Sequence, residues 1–473
     1  MVFSDPAFIF WFLPFALILG LSCIRTALFP WVVFAVSLLF YYWTSGSYTL
    51  LLVSSIALNF CGGLIIHRFQ NKLLFGTLIF LNLALIAYYK YAGFIVSDIV
   101  PSADPEVVAF FKSIVLPIGI SFFTFQGISY LIDVRRRQIE PERNFILFGA
   151  YLSFFPQLIA GPIVRFKDVQ ADFHAPNLSV DMFAAGASRF MVGLAKKLLV
   201  ADTMARVADA AFAMPAGDIS FAGAWLGAIA YTIQIYFDFS GYSDMAIGIG
   251  MMFGIRFFEN FNHPYASSTV TEFWRRWHMS LSSWFRDYLY IPLGGNRRGI
   301  SRTFFNFLIV FCATGLWHGA AWVFVLWGLW HGGFLILERI VLGDRAPAMG
   351  SPALRFIYLF PVVIFGWVLF RAPDIGSFLS YSQSMLTPLS EESFRLPLSM
   401  LLVVSPIEIV VLALAGASIV LQGKIQPLGV VFGNPDAGQL IAAIRVGFMI
   451  CAAIATAMFS LSSEFSPFLY FRF

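Results

Sequence analysis

Charge is what this 473-residue sequence has least of: 12% of its residues are Asp, Glu, Lys or Arg, against 59% hydrophobic and 18% aromatic. A chain so poor in charge cannot clothe itself in a hydrated surface, which excludes a soluble globule and leaves a polytopic membrane protein. The formal net charge of +4 is spread over the loops, as enrichment of Lys and Arg on the cytoplasmic side produces, so no nucleic-acid partner is expected. The four cysteines, Cys23, Cys61, Cys312 and Cys451, lie far apart in apolar runs. None pair at metal-ligand spacing, so neither a metal site nor a disulfide framework is expected. Also missing are a Walker A motif, a Gly-x-Ser-x-Gly elbow, an internal repeat and a low-complexity tract. The opening MVFSDPAFIFWFLPFALILGLSCIR has no basic stretch ahead of its long apolar run and no small-residue cleavage site, so it reads as a retained first span. Arg25 follows that span and no cation precedes it, which puts the N-terminus on the outer face.

What remains is a succession of apolar helices. A span needs about 20 apolar residues, and by that measure the chain holds about eleven to thirteen membrane segments. The expected fold is all-α: a polytopic transmembrane helical bundle with broken or re-entrant elements and interfacial helices. Four segments, near 7 to 24, 29 to 43, 48 to 66 and 73 to 92, come first, and His67, Arg68, Lys72 and Lys90 sit at their ends as interfacial anchors. LPIGISFFTFQGISYLIDVRRR is loosened by Pro117, Gly119 and Gly127 and closes on a cytoplasmic arginine run; its Gln126, Ser129 and Tyr130 either line a cavity or bond a neighbouring helix. FFPQLIAGPIVRFKDV carries Pro156, Gly161 and Pro162 and cannot be one straight helix. Irregular backbone at membrane depth is tolerated only when buried in protein or beside water, so this element is broken or re-entrant.

Residues 181 to 206, with Arg189, Lys196 and Lys197 among apolar neighbours, read as an amphipathic segment on the cytoplasmic surface. The next run, YFDFSGYSDMAIGIGMMFGI, sets Asp238 and Asp244 six residues apart, about 240° around a helix. They aim at one point only if Gly241 breaks the helix. Two carboxylates in so apolar a run, with Tyr242 between them, fit either a polar lumen or buried structural hydrogen bonds.

The chain is organised around FCATGLWHGAAWVFVLWGLWHGG, residues 311 to 333, a stretch apolar enough for a bilayer that holds His318 and His331. Ionisable groups there need a partner, a neutral state or a water-filled cavity. Gly315 and Gly319 leave room beside His318, while Trp317 and, one helical turn on, Trp322 wall it. A lone histidine on an apolar helix often only bonds a neighbouring helix; the company His318 keeps is what argues for a pocket. Upstream, Phe273, Trp277, Leu281, Trp284 and Tyr288 follow 4, 4, 3, 4 spacing and form a buried stripe. Arg275, Arg276 and Arg286 lie off it. His278 sits one position round from Trp277, with Trp274 a turn earlier, where its ring can point to the bundle centre. Arg297, Arg298 and Arg302 lead into the span of His318. The last third, with spans near 354 to 371, 400 to 422 and 439 to 461, a loop at 372 to 397 and the interfacial ending FSPFLYFRF, holds no histidine.

TEFWRRWHMSLSSWFRDYLYIPLGG, GLWHGAAWVFVLWGLWHG, FDFSGYSDMAIG and FPQLIAGPIVRF together resemble the membrane-bound O-acyltransferase family, in its bacterial branch typified by the membrane subunit of the alginate O-acetylation machinery. The likeness runs from about residue 110 to 340. It implies one integral membrane domain over 1–473, with N-terminal spans at 1–105, a catalytic core at 106–340 and C-terminal spans at 341–473, in the bacterial cytoplasmic (inner) membrane. It also implies funnels from both faces, the essential histidine at His318, and at His278 the position that holds a second histidine or an asparagine. A pocket between them would draw on Trp274, Trp277, Trp317, Trp322, Asp238, Tyr242 and Asp244. The donor implied is an acyl thioester, acetyl-CoA in the cytoplasm, used as substrate with no bound cofactor and no metal. Arg275, Arg276, Arg297 and Arg298 would attract its phosphates, although positive-inside loop composition explains them too. Membrane lipids surround the chain, and secreted or periplasmic partners would carry the acyl group to a polysaccharide. Relatives in the branch serve alginate, cellulose, peptidoglycan or teichoic acid, and the motifs do not separate them; alginate is the first expectation.

Burial disfavours a charged imidazole and leaves one able to take a proton from a sugar hydroxyl, so His318 is assigned the role of general base. Direct transfer and a covalent acyl-enzyme both stay open, with Cys312 poorly placed, about 240° round the helix from His318. The rival class is a proton-coupled transporter or flippase of a lipid-linked sugar, which intramembrane Asp and His would suit but which lacks paired broken segments in two equivalent halves. A scaffold subunit of an export complex is a third possibility.

Overall fold

A computed structural model of the chain describes residues 2–100, 104–215, 217–343, 352–388 and 391–422, with scattered positions between 424 and 454. Helix ends follow local chemistry. Asn71, Asn144, Thr269 and Asp374 each accept a hydrogen bond from a backbone N–H of the first turn that follows, and Ser405 and Glu408 form a reciprocal capping box. Among the described residues no strand forms, so the all-α expectation holds. Four helical stretches there are long and apolar enough to cross a membrane: Phe29–Phe69, Lys72–Ile99, Ile300–His318 and Trp322–Val341. Phe8–Cys23 and Pro406–Val420 are shorter apolar helices. Trp11, Leu50, Leu73 and Phe80 are exposed on these early helices, a surface that hydrocarbon satisfies and water does not. The expected span near 439 to 461 and the FSPFLYFRF ending fall largely or wholly outside the described residues.

The chain gathers into two compact units, Met1–Val192 with Tyr242–Glu259 in one and Gly193–Gly241 with Asn260–Val431 in the other. In the first, the spans meet through small and polar residues. Asn59 and Asn82 exchange reciprocal amide hydrogen bonds of 3.1 Å, and Gly127 leaves room for the Asn59 side chain. The FFPQLIAGPIV stretch is broken as its prolines dictate. A short helix, Phe155–Leu158, gives way to irregular backbone that is buried throughout and pinned where Tyr151 donates to the carbonyl of Val164 at 3.0 Å.

Two expectations need correcting. Residues 181 to 206 do not form a cationic face on a surface. Arg189 is 5% exposed and donates to Asp244 at 3.0 and 3.1 Å and to Glu259 at 2.6 Å, while Lys197 is 4% exposed and lies 2.8 Å from both Asp238 and Asp202. Nor does Gly241 break its helix, which runs unbroken over Phe221–Met252. Gly241 instead permits close approach: a Cβ there would stand 2.7 Å from the carbonyl oxygen of Gly193. Asp238 and Asp244 therefore face different cations rather than one shared point.

In the second unit Ile300–His318 and Trp322–Val341 form an antiparallel hairpin, shown by close approaches of Gly315 to Phe324, Gly328 to Phe311 and Gly332 to Phe307. A Cβ on Gly315 would lie 2.0 Å from the Phe324 carbonyl oxygen, and one on Gly328 2.2 Å from that of Phe311. Backbone cannot yield as a side chain does. Gly315→Ala is accordingly expected to destabilise the unit by about 1–3 kcal/mol or more, whereas Gly333→Ala, which meets nothing within 4 Å, should not. Thermal unfolding of the detergent-purified variants measures the difference.

Candidate active site

The site is assembled from the hairpin and from the Val270–Arg276 helix, whose start is fixed by a carboxylate from the hairpin. Glu338, 3% exposed, accepts from the Thr271 backbone N–H at 2.8 Å, the Thr271 hydroxyl at 2.6 Å, the Val270 N–H at 2.5 Å and the Tyr358 hydroxyl at 3.0 Å. An anion there satisfies orphan N–H groups at the positive end of a helix. This helix carries Trp274 and Arg275 and stops at Trp277. The turn then passes through His278, held at φ +44°, a left-handed conformation that few non-glycine residues adopt, and Met279–Phe285 begins.

His278 is 1% exposed. Its Nδ1 lies 3.1 Å from Asn260 Oδ1, and its ring meets Phe239 edge-on at 4.6 Å and Trp317 at 5.8 Å. It lies outside the four candidate spans, and burial pushes its imidazole down to about 3. His318 closes the Ile300–His318 helix. Its ring stands edge-on to Trp317 at 5.0 Å, Trp327 at 5.2 Å and Phe370 at 5.2 Å.

Both histidines line one cavity of about 1120 Å³. Thr303, Phe307, Val310, Phe311, Thr314 and His318, spaced as one face of a helix, form one wall. Trp274 and Arg275 stand on another, and Arg297 and Arg298 also border the cavity. Of the residues singled out from the sequence, those six (His278, His318, Trp274, Arg275, Arg297 and Arg298) are brought together.

The others are placed differently. Trp317 is packed beside both histidines without lining the cavity. Trp277 turns into an aromatic cluster with Phe273 and Trp367, and Arg276 pairs with Glu272 at 2.9 Å. Trp322 is not one turn beyond His318, because Gly319 to Ala321 interrupt the helix; it is 47% exposed, and Trp327 from the returning helix supplies the indole. Asp238 is occupied by Lys197. Tyr242 and Asp244 belong to the first unit, where Tyr242 stacks on Phe3 at 4.5 Å and Asp244 holds Arg189. His331 is fully buried against Trp274 and Trp327, at 4.9 and 5.0 Å, and does not line the cavity.

Residues that the sequence reading passed over include Trp327 and Phe370, Arg339 on the cavity wall, and the supporting Asn260 and Glu338; Arg286, placed off the buried stripe but given no role, also lines the cavity. A hairpin reading of the paired glycines would have found Trp327; nothing in a single sequence marks Glu338 as the anchor of a helix 60-odd residues upstream.

Residues 112–382 match the MBOAT, membrane-bound O-acyltransferase, family. The probable alginate O-acetylase AlgI of Azotobacter vinelandii is 40% identical over all of both chains, and that of Pseudomonas aeruginosa is 45% identical over 79% of this chain and 73% of its own. The peptidoglycan O-acetyltransferase of Helicobacter pylori is 36% identical over 82% of this chain and 80% of its own. With this match and these apolar helices, the chain belongs to the membrane-bound O-acyltransferase family and is a multi-pass membrane O-acyltransferase.

Proposed function

We propose that the chain, in the bacterial cytoplasmic membrane, moves an acetyl group from acetyl-CoA toward an exported polysaccharide, alginate first, with His318 as general base. The observation that carries this reading is one cavity lined by His278, His318 and several arginines. His318 takes the proton of an acceptor hydroxyl, and the oxygen attacks the thioester carbonyl. The carbon–sulfur bond breaks and the thiolate leaves with that proton, giving an ester and a free thiol. Arg275, Arg297 and Arg298 supply charge-assisted bonds for the donor's phosphates. Periplasmic or secreted partners complete delivery to the polymer. The full-length likeness to one probable alginate O-acetylase supports alginate, and the peptidoglycan O-acetyltransferase relative makes peptidoglycan the alternative acceptor.

The transporter reading drew on intramembrane Asp and His, and of these Asp238 and Asp244 are taken up by Lys197 and Arg189. Purified protein in vesicles, given labelled acetyl-CoA, the partner proteins and oligomannuronate, should esterify the acceptor. Label retained on CoA while a lipid-linked sugar crosses the bilayer would favour the transporter. Arg297→Gln with Arg298→Gln should raise the KM for acetyl-CoA roughly tenfold and leave kcat close to wild type. Initial rates over a range of donor concentrations check this.

A further inference from the structure

We propose that Asn260 is a positioning residue that locks His278 in the tautomer with its proton on Nδ1, leaving the lone pair on Nε2. Three donors converge on one oxygen. Asn260 Oδ1 lies 3.2 Å from the Ser280 backbone nitrogen, 2.8 Å from Ser280 Oγ and 3.1 Å from His278 Nδ1. The orientation of an amide is assigned from its partners, and here the assignment has one solution. A backbone N–H only donates, so the Asn260 atom facing Ser280 is the carbonyl oxygen and not the NH₂. That oxygen meets Nδ1 favourably only when Nδ1 bears the hydrogen. Ser280 Oγ, 3.3 Å from Nδ1 and donating to Asn260, can accept the same proton.

Asn260 holds the backbone as well, since Met279 donates its N–H to the Asn260 main-chain carbonyl at 2.9 Å. One buried residue thus grips both the ring and the left-handed turn at His278. With Nε2 carrying the lone pair, His278 accepts a hydrogen bond from a substrate hydroxyl or amide and does not donate one to an oxyanion. This consequence rests on the acyl-transfer reading; the tautomer does not. The ring's neighbours include Phe239, Trp317, Asn260 and Ser280, and the cations lining the same cavity include Arg275, Arg286, Arg297, Arg298 and Arg339. Burial keeps the imidazole neutral at working pH, so the tautomer and not the charge sets what it offers.

Solid-state NMR of the full chain in lipid, with ¹⁵N-labelled histidine and His278→Asn to assign the signal, reads the tautomer directly. Wild type should show a protonated Nδ1 and an unprotonated Nε2, and Asn260→Leu a mixture. In the transferase assay Asn260→Leu should lower kcat roughly 10- to 100-fold with the donor KM unchanged. Asn260→Asp keeps the acceptor oxygen, hence the tautomer, but its negative charge favours the imidazolium. It should bring an acid limb into the range of about pH 5 to 8, where wild type has none from His278. An Nε2-protonated signal in wild type, or a wild-type tautomer in Asn260→Leu, overturns the proposal. A protonated Nδ1 in a wild-type protein that transfers no acyl group would overturn the functional reading and leave the tautomer standing.

Discussion

Alanine at position 318 is expected to cut acyl transfer roughly 10²- to 10⁴-fold, the contribution of a positioned proton acceptor, with melting temperature little changed. Retention of the fold follows from where the ring sits. His318 is the last residue of its helix and borders a cavity, while the hairpin is held by the backbone contacts of Gly315 and Gly328. His331→Ala should behave in the opposite way. Its imidazole is fully buried among Trp274, Trp327 and Trp367 and does not line the cavity, so truncation leaves a void and lowers stability before it touches the chemistry. Initial rates and thermal unfolding of both variants, measured side by side, separate the two histidines.

The second large effect is on stability. Lys197 lies between Asp238 and Asp202, and removing its charge takes a cation from beside Asp238, which is 2% exposed. Breaking such a pair from one side costs about 3–5 kcal/mol, most of it the burden of an uncompensated buried charge. Lys197→Met is expected to lose that much, and adding Asp238→Asn should restore part of it by removing the charge left behind. Arg189→Met should act alike by taking the guanidinium from buried Asp244, with Glu259 less affected because its side chain is 41% exposed. Unfolding in detergent and the yield of monodisperse protein check both. An unchanged melting temperature for Lys197→Met would mean that water reaches the pair.

What could be read from the sequence follows from the range of the forces involved. The all-α class, the early spans and the break in FFPQLIAGPIV are local consequences of hydropathy and proline, and they hold. The motifs around His278 and His318 led to the family, and the cavity gathers both rings with Trp274 and three of the four arginines expected to meet the donor, Arg275, Arg297 and Arg298. The misplacements concern pairings between distant segments. Arg189 and Lys197 look like surface cations until Asp244 and Asp238, more than 40 residues on, are found against them. Trp322 looks like a neighbour of His318 until the helix stops at Gly319 and reverses, which brings Trp327 to the ring instead. Asn260 acts through one side-chain oxygen and Glu338 through its two carboxylate oxygens, and no periodicity announces those contacts.

In the proposed reaction the acyl thioester lies in the cavity shared by His278 and His318. A cryo-EM structure of the chain in lipid nanodiscs with a non-hydrolysable acetyl-CoA analogue shows whether it does. Density for the acyl end is expected between the two imidazoles and for the phosphates beside Arg297 and Arg298; an analogue bound elsewhere, with this cavity unchanged, would rule this placement out.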